Sequence, residues 1–274
     1  MSDARARFAA LVKLPDQPID VAEAALLIAG EEYPHLDIHA YLQRLDALAA
    51  GVREQVDNVA EAAAKIARLN QFLFVEQGFA GNDANYYDPR NSFLNDVLDR
   101  RTGIPITLSV VYAEVARRLG LTVMGVGFPG HFLVKYVGPP EIIIDPFFGS
   151  VITMDDCKER LQSLYGERAQ FDGRLLRPAT AREILVRMLS NLKQVYLEQR
   201  DRNRALACVD RILLLRPDAP RELRDRGILY QQLECFAAAV RDLERYLQLA
   251  PNDEGADAVR IMLPDLQRQA AKLQ

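Results

Sequence analysis

A chain of 274 residues, 49% of them hydrophobic, can bury one sizeable core or two modest ones, and its formal net charge of −4 gives no general attraction for nucleic acid. Its three cysteines all lie between Cys157 and Cys235, with no CxxC and no Cys/His ligand spacing, which excludes a disulfide framework and suits a reducing cytosol. The opening MSDARARFAALVKLPDQ carries an early acid and no long apolar stretch, and no window approaches the ~18 apolar residues of a membrane span, so a cytoplasmic location without leader or membrane contact is expected.

Residues 1–56 read as a helical N-terminal region. The apolar periodicity of DVAEAALLIAGEEY and of LDIHAYLQRLDALAAGV predicts two helices, the second capped by Asp37. DNVAEAAAKIARLNQFLFVEQG predicts a third, opened by Asp57, and starts a core expected over 57–173. His35 and His39 stand four apart, but no positioned acid accompanies them, and packing or solvent accounts for both.

Past the polar turn GNDANYYDPRN, whose Tyr86 and Tyr87 suit either recognition or core cover, SFLNDVLDRRTG predicts a short helix stopped by Gly103. A second helix is expected from Pro105 to Leu119, stopped by Gly120. LTVMGVGFPGHFLVKYVGPPEIIIDPFFG then reads as antiparallel strands separated by Pro/Gly turns. A hairpin turning about Gly138 sets Lys135 opposite Glu141, Leu133 opposite Ile143 and His131 opposite Asp145. Opposed side chains lie about 4.5–5.5 Å apart at Cβ, so Asp145 is placed to hold one imidazole nitrogen of His131, the orienting half of a catalytic triad. The plainer reading is a half-buried strand histidine and an Asp-Pro turn. No GxxxxGK[ST], GxGxxG, GxSxG or HExxH occurs, which removes the common nucleotide, hydrolase-elbow and zincin readings.

The last part, 174–274, carries a repeat. RMLSNLKQVYLEQRDRNRALACVDRILLLRPDAP (187–220) is followed by RELRDRGILYQQLECFAAAVRDLERYLQLAPNDE (221–254), with Tyr196 matching Tyr230, Ala205 Ala239, Leu213 Leu247, Leu215 Leu249 and Pro217 Pro251, each pair 34 apart. These units resemble tetratricopeptide repeats, which implies two antiparallel helices each, followed by a terminal helix bent or interrupted at Pro264. This part holds 18 Lys and Arg against 14 Asp and Glu, whereas residues 1–173 hold 16 against 24. Its bases mix with acids and lack interleaved aromatics, which suits solvated surface and no nucleic-acid platform.

The order of helix, His131 and Asp145 resembles the transglutaminase-like superfamily, which places Cys at a helix N-terminus, His on a following strand and Asp on the next. More narrowly, DPRNSFLNDVLDRRTGIPITLSVVYAEVARRLG, GFPGHFLV and IIDPFFG, followed by the repeats, resemble the bacterial SirB family. The resemblance implies an α+β transglutaminase-like (papain-like) core with a helical N-terminal region, then all-α repeats. It also lays the superfamily's Gly-x-Cys onto Gly103-Ile104-Pro105, so Pro105 stands at the nucleophile position. Proline suits a first helical turn but attacks nothing. Ser109, one turn deeper on the same face, is the substitute candidate, expected to bond within its own helix or to His131, while Thr107 points away. Two functions are therefore expected: an adaptor that holds a protein or peptide in the repeat groove, Asn191 and Gln231 facing it, or an amide-directed peptidase or amidase using His131 and Asp145 with Ser109 or an activated water. No cofactor is implied, and a metal site on His131 and Asp145 has too few ligands.

Overall fold

The computed structural model describes residues 3–13 and 19–272. Of the opening stretch inspected for a leader, 1–2 and 14–17 lie outside them, as do residues 273–274 of the stretch expected to form the terminal helix. Helix α1 (Asp3–Lys13) is an addition to the helices expected. Helix α2 (Val21–Ala29) is capped by Asp20, whose carboxylate accepts the Glu23 N–H at 2.9 Å, and from Ala24 to Ala29 it is buried on every side, as that unbroken apolar run requires. Helix α3 (Ile38–Asp57) starts at its expected cap, Asp37 accepting from the Ala40 N–H at 3.0 Å. Asp57 does not open the next helix; it ends α3. Helix α4 (Ala62–Asn70) begins five residues later and passes into a π-helical turn, Gln71–Glu76.

Helix α5 (Leu94–Arg100) stops earlier than Gly103, because Arg101 adopts the left-handed conformation (φ 59°). This frees Thr102 and Gly103 to form β2 (Thr102–Gly103), which pairs in parallel with β1 (Ala80–Gly81). Helix α6 (Pro105–Arg118) follows within one residue of its expected bounds and is buried along most of its length.

Strands β3 (Val123–Val126), β4 (Leu133–Tyr136), β5 (Ile142–Asp145) and β6 (Ser150–Ile152) form the expected antiparallel meander in chain order. Its register differs from the one built about Gly138: Lys135 pairs with Ile143 and Val134 with Ile144, so the turn is centred on Pro139. The two-residue shift leaves every side chain on the expected face, because the strand period is two. Lys135 therefore still reaches Glu141, now a diagonal neighbour, at 3.2 Å. One face of the sheet, Val126, Leu133, Ile143 and Ile152, packs on Cys157 and Leu161 of α7 (Met154–Tyr165). Asp145 shares that face by its pairing with Ser150.

One unit of the chain ends at Met188 and a second begins at Leu189, inside α8 (Ala181–Glu198). The second unit continues through α9 (Arg202–Leu215), α10 (Pro220–Gln232), α11 (Phe236–Leu249) and α12 (Ala256–Lys272), the helix-pair pattern of the 34-residue period. Ala205 and Ala239 are fully buried, and α9 and α11 each end two residues before the matched prolines Pro217 and Pro251. Helix α12 runs uninterrupted through Pro264, so of the bend or interruption expected there the interruption does not occur. No described helix is long and apolar enough to cross a membrane.

Candidate functional site

His131 does not lie on a strand; it closes the turn that precedes β4. The sequence Phe128-Pro129-Gly130-His131 dictates this geometry: proline presets φ at the second position, and Gly130 adopts φ 70° at the third. The turn is closed by the His131 N–H donating to the Phe128 carbonyl at 3.1 Å. A Cβ on Gly130 would lie 2.5 Å from Leu164 Cδ1. Gly130→Ala is therefore expected to cost about 1–2 kcal/mol, through its left-handed backbone and this clash, measured as a lowered urea midpoint. An unchanged midpoint would contradict the role given to this turn.

The imidazole so placed meets Asp145 at the end of β5. His131 Nε2 and Asp145 Oδ1 are 2.9 Å apart, and the same oxygen accepts the Phe147 N–H at 3.0 Å. Arg160 of α7 donates from Nη1 to Oδ2 at 2.5 Å. The Asp145 side chain is 0% exposed, and burial pushes its pKa up. The hydrogen bonds and charges of His131 and Arg160 outweigh that burial and hold the carboxyl below its ordinary value. The carboxylate thus orients the ring, as the register argument expects, although the two residues are not directly opposed. His131 Nδ1 has no hydrogen-bond partner among the described residues.

Arg160 is the residue that sequence reasoning passes over. Its signal is the spacing of Cys157, Arg160, Leu161 and Leu164 on one stripe of α7, which turns a base towards the sheet.

The start of α6 is tied to this corner by backbone. Gly81 lies beside Gly103 in the β1/β2 pair and donates its N–H to the Phe147 carbonyl at 3.1 Å. Glycine is required there, since a Cβ would sit 2.5 Å from the Phe147 ring. Pro105, two residues past Gly103, is buried at the first turn of α6. Thr107 is not idle: its hydroxyl accepts the Ile104 N–H at 3.1 Å and donates to the Asn91 carbonyl at 2.7 Å. Ser109 is 1% exposed, and its hydroxyl faces the Phe132 carbonyl at 3.5 Å, bonding neither within its own helix nor to His131. It lines a mainly apolar cavity of about 570 Å³ along α6, shared with Val110, Leu121, Phe132 and Ile184, whose walls include none of His131, Asp145 and Arg160. Cys157 is buried in α7, and burial pushes its thiol pKa up, which removes it as a nucleophile.

The aromatic loop beside this corner is fastened by Asn91, a second residue that sequence reasoning passes over and one that has no sequence signal. Its side-chain oxygen accepts from Asn82 Nδ2 at 3.0 Å, and its amide donates to the carbonyls of Asn85 at 2.7 Å and Tyr86 at 3.2 Å. Tyr86 packs edge-on against Phe147 at 6.2 Å between ring centres. In the second unit, Asn191 on α8 and Gln231 on α10 are half-buried on the first helices of the two repeats.

Comparison with known proteins follows the same division. Residues 39–190, more than half the chain, match the family model described as the transglutaminase-like superfamily, and residues 192–264 match a tetratricopeptide repeat model. A UPF0162 protein of Xylella fastidiosa is 42% identical over 264 residues, covering 94% of each chain. A UPF0162 protein of Pseudomonas aeruginosa is 34% identical over 255 residues, covering 93% of each. The UPF0162 protein YchA of Escherichia coli K12 is 27% identical over 237 residues, covering 86% of this chain and 87% of that protein. On these matches the chain belongs to the transglutaminase-like superfamily, carries tetratricopeptide repeats, and groups with the UPF0162 proteins.

Proposed function

We propose that this protein is a transglutaminase-like protein without catalytic activity, acting as an interaction or regulatory adaptor in the cytoplasm through its repeats. The observation that carries this reading is Pro105, buried at the first turn of α6, where the superfamily resemblance puts the thiol. The candidates to replace that thiol are poor: Ser109 and Cys157 are both buried, and the Cys157 thiol is pushed up. His131 and Asp145 then serve to shape the corner. The narrower likeness to the SirB family, through its three motifs and the repeats, belongs to the same reading.

An amide-directed hydrolase is the competing reading, favoured by the His131–Asp145 bond and the unpartnered Nδ1, which suits activation of a water. The two separate in a pull-down of the full chain as wild type, as His131→Ala and as Asn191→Ala/Gln231→Ala. The adaptor reading expects one partner, chemically unaltered, retained equally by wild type and His131→Ala and lost from the double variant. A partner cleaved or deamidated by wild type but not by His131→Ala would overturn it.

A further inference from the structure

The first unit carries a surface that its own packing does not explain. Phe148 is 66% exposed and Tyr87 60%, yet both belong to a connected set of rings. From Tyr87 the contacts pass to Tyr86 at 5.4 Å, to Phe147 at 6.2 Å and to Phe148 at 5.1 Å. His131 stacks on Phe148 at 6.1 Å with the planes 13° apart, and the Arg160 guanidinium lies over the same ring at 5.7 Å. Large exposed rings beside an arginine are the composition of interaction hot spots rather than of ordinary surface.

Arg160, at this end of the row, is a donor with capacity left over. Arg160 reaches Asp145 through Nη1, and its Nε–Nη2 edge has no partner among the described residues. That edge is a planar pair of parallel N–H groups, the shape that receives a carboxylate with two hydrogen bonds. His131 Nδ1 is likewise unpartnered, on the ring that stacks beside it. The nearest acids do not compete. Asp145 is enclosed by its three donors, and Asp156 is engaged in capping α7, accepting from the Thr153 N–H at 2.6 Å and its hydroxyl at 2.8 Å. The rings lead away from Arg160 through Phe148 towards Tyr87, so a matching ligand has its charge at one end of an apolar run.

We propose that this surface binds the free C-terminus of a protein or peptide whose last residues are apolar. The terminal carboxylate lies on the Nε–Nη2 edge of Arg160, and the last side chains rest on Phe148, Phe147 and Tyr86. This surface stands independently of the repeats and of the role proposed for them.

Fluorescence anisotropy of the full chain with three labelled peptides tests the assignment. The probes are Gly-Ser-Gly-Leu-Phe-Leu with a free carboxylate, the same peptide as its C-terminal amide, and the amide of Gly-Ser-Glu-Leu-Phe-Leu, which moves the charge inside. The free acid is expected to bind with Kd on the order of 10–100 μM, and each amide about tenfold more weakly. Arg160→Lys keeps the charge but loses the paired donors, and should erase the preference of acid over amide. Phe148→Ala, at an exposed ring, should weaken the free acid about tenfold at unchanged melting temperature. Equal binding of acid and amide, preference for the internal Glu, or absence of binding by the free acid would each overturn the proposal.

Discussion

Asp145→Ala is expected to destabilise the first unit by about 3 kcal/mol, more than any other single change at the His131 corner. The variant removes an acceptor of three hydrogen bonds and leaves the Phe147 N–H, the His131 Nε2 and the Arg160 guanidinium facing a small void. Asp145→Asn keeps the shape but turns an amide donor towards either His131 or Arg160, and should lose about 1–2 kcal/mol. His131→Ala leaves Asp145 still held by Arg160 and the Phe147 N–H, and should lose only about 1 kcal/mol. Urea denaturation of the three variants orders them. If His131→Ala costs as much as Asp145→Ala, the imidazole and not Arg160 is the principal partner of the carboxylate, and the picture of a corner fastened from α7 fails.

The same carboxylate has a pH signature. Its folded pKa is lowered, so its contribution to stability is fully present above the ordinary Asp value near 4 and is lost as pH falls through the lower folded value. Wild type should therefore lose stability steeply below about pH 4, and Asp145→Ala less steeply. The slope will not vanish, because Glu183, held down to about 2 by Arg177 and the Thr180 N–H, titrates in the same range. Parallel curves for wild type and variant would show that Asp145 is not stabilised by ionisation in the folded state.

Much of this corner is legible in the sequence, for reasons that are local. FPGH specifies a turn because proline and glycine have preset or unusual φ values, and the turn alone aims His131. The His131–Asp145 pair survives a wrong register because strand side chains alternate with period two, so an error of two residues shifts a direct partner to a diagonal one. The 34-residue period, Ala205 with Ala239 and Pro217 with Pro251, marks helix pairs because close approach and helix ends each demand particular residues. What stays hidden is set by tertiary contact. Nothing local announces that Arg160 meets Asp145, 15 residues away across a helix, or that Asn91 fastens the loop of Tyr86. Ser109 illustrates the limit differently: counting puts it one turn beyond Pro105, but the carbonyl it meets comes from Phe132 on a neighbouring segment. Helix α12 likewise continues past Pro264, since one absent N–H does not outweigh the burial of Val259 and Leu266 on either side.

In the second unit, Arg226→Met is expected to remove about 3 kcal/mol from the α10–α11 pair, a loss that periodicity does not foretell. Arg226 projects from α10 between two acids. It donates to Asp242 of α11 from Nε at 2.6 Å and Nη2 at 2.8 Å, a paired grip, and to Asp210 of α9 from Nη1 at 3.1 Å. All three side chains are largely buried, so the charges are poorly screened, and removing the cation leaves two carboxylates without it. The ion group thus acts on helix arrangement: it fixes α10 against the second helices of both repeats, as Lys193 of α8, bonded to Glu222 at 2.8 Å and Asp225 at 2.9 Å, fixes α8 against α10. Amide hydrogen exchange read by mass spectrometry on α9–α11 peptides measures the loss locally, as protection reduced by about two orders of magnitude. Arg226→Met/Asp242→Leu separates charge from packing, because replacing a buried pair by apolar groups of similar size is often nearly neutral. The double variant should recover most of the protection in α10 and α11, leaving only the share of Asp210. If it is no better than Arg226→Met, the guanidinium stabilises the pair through its contact with the Tyr230 ring, 5.8 Å away, and its charges on the two acids are incidental.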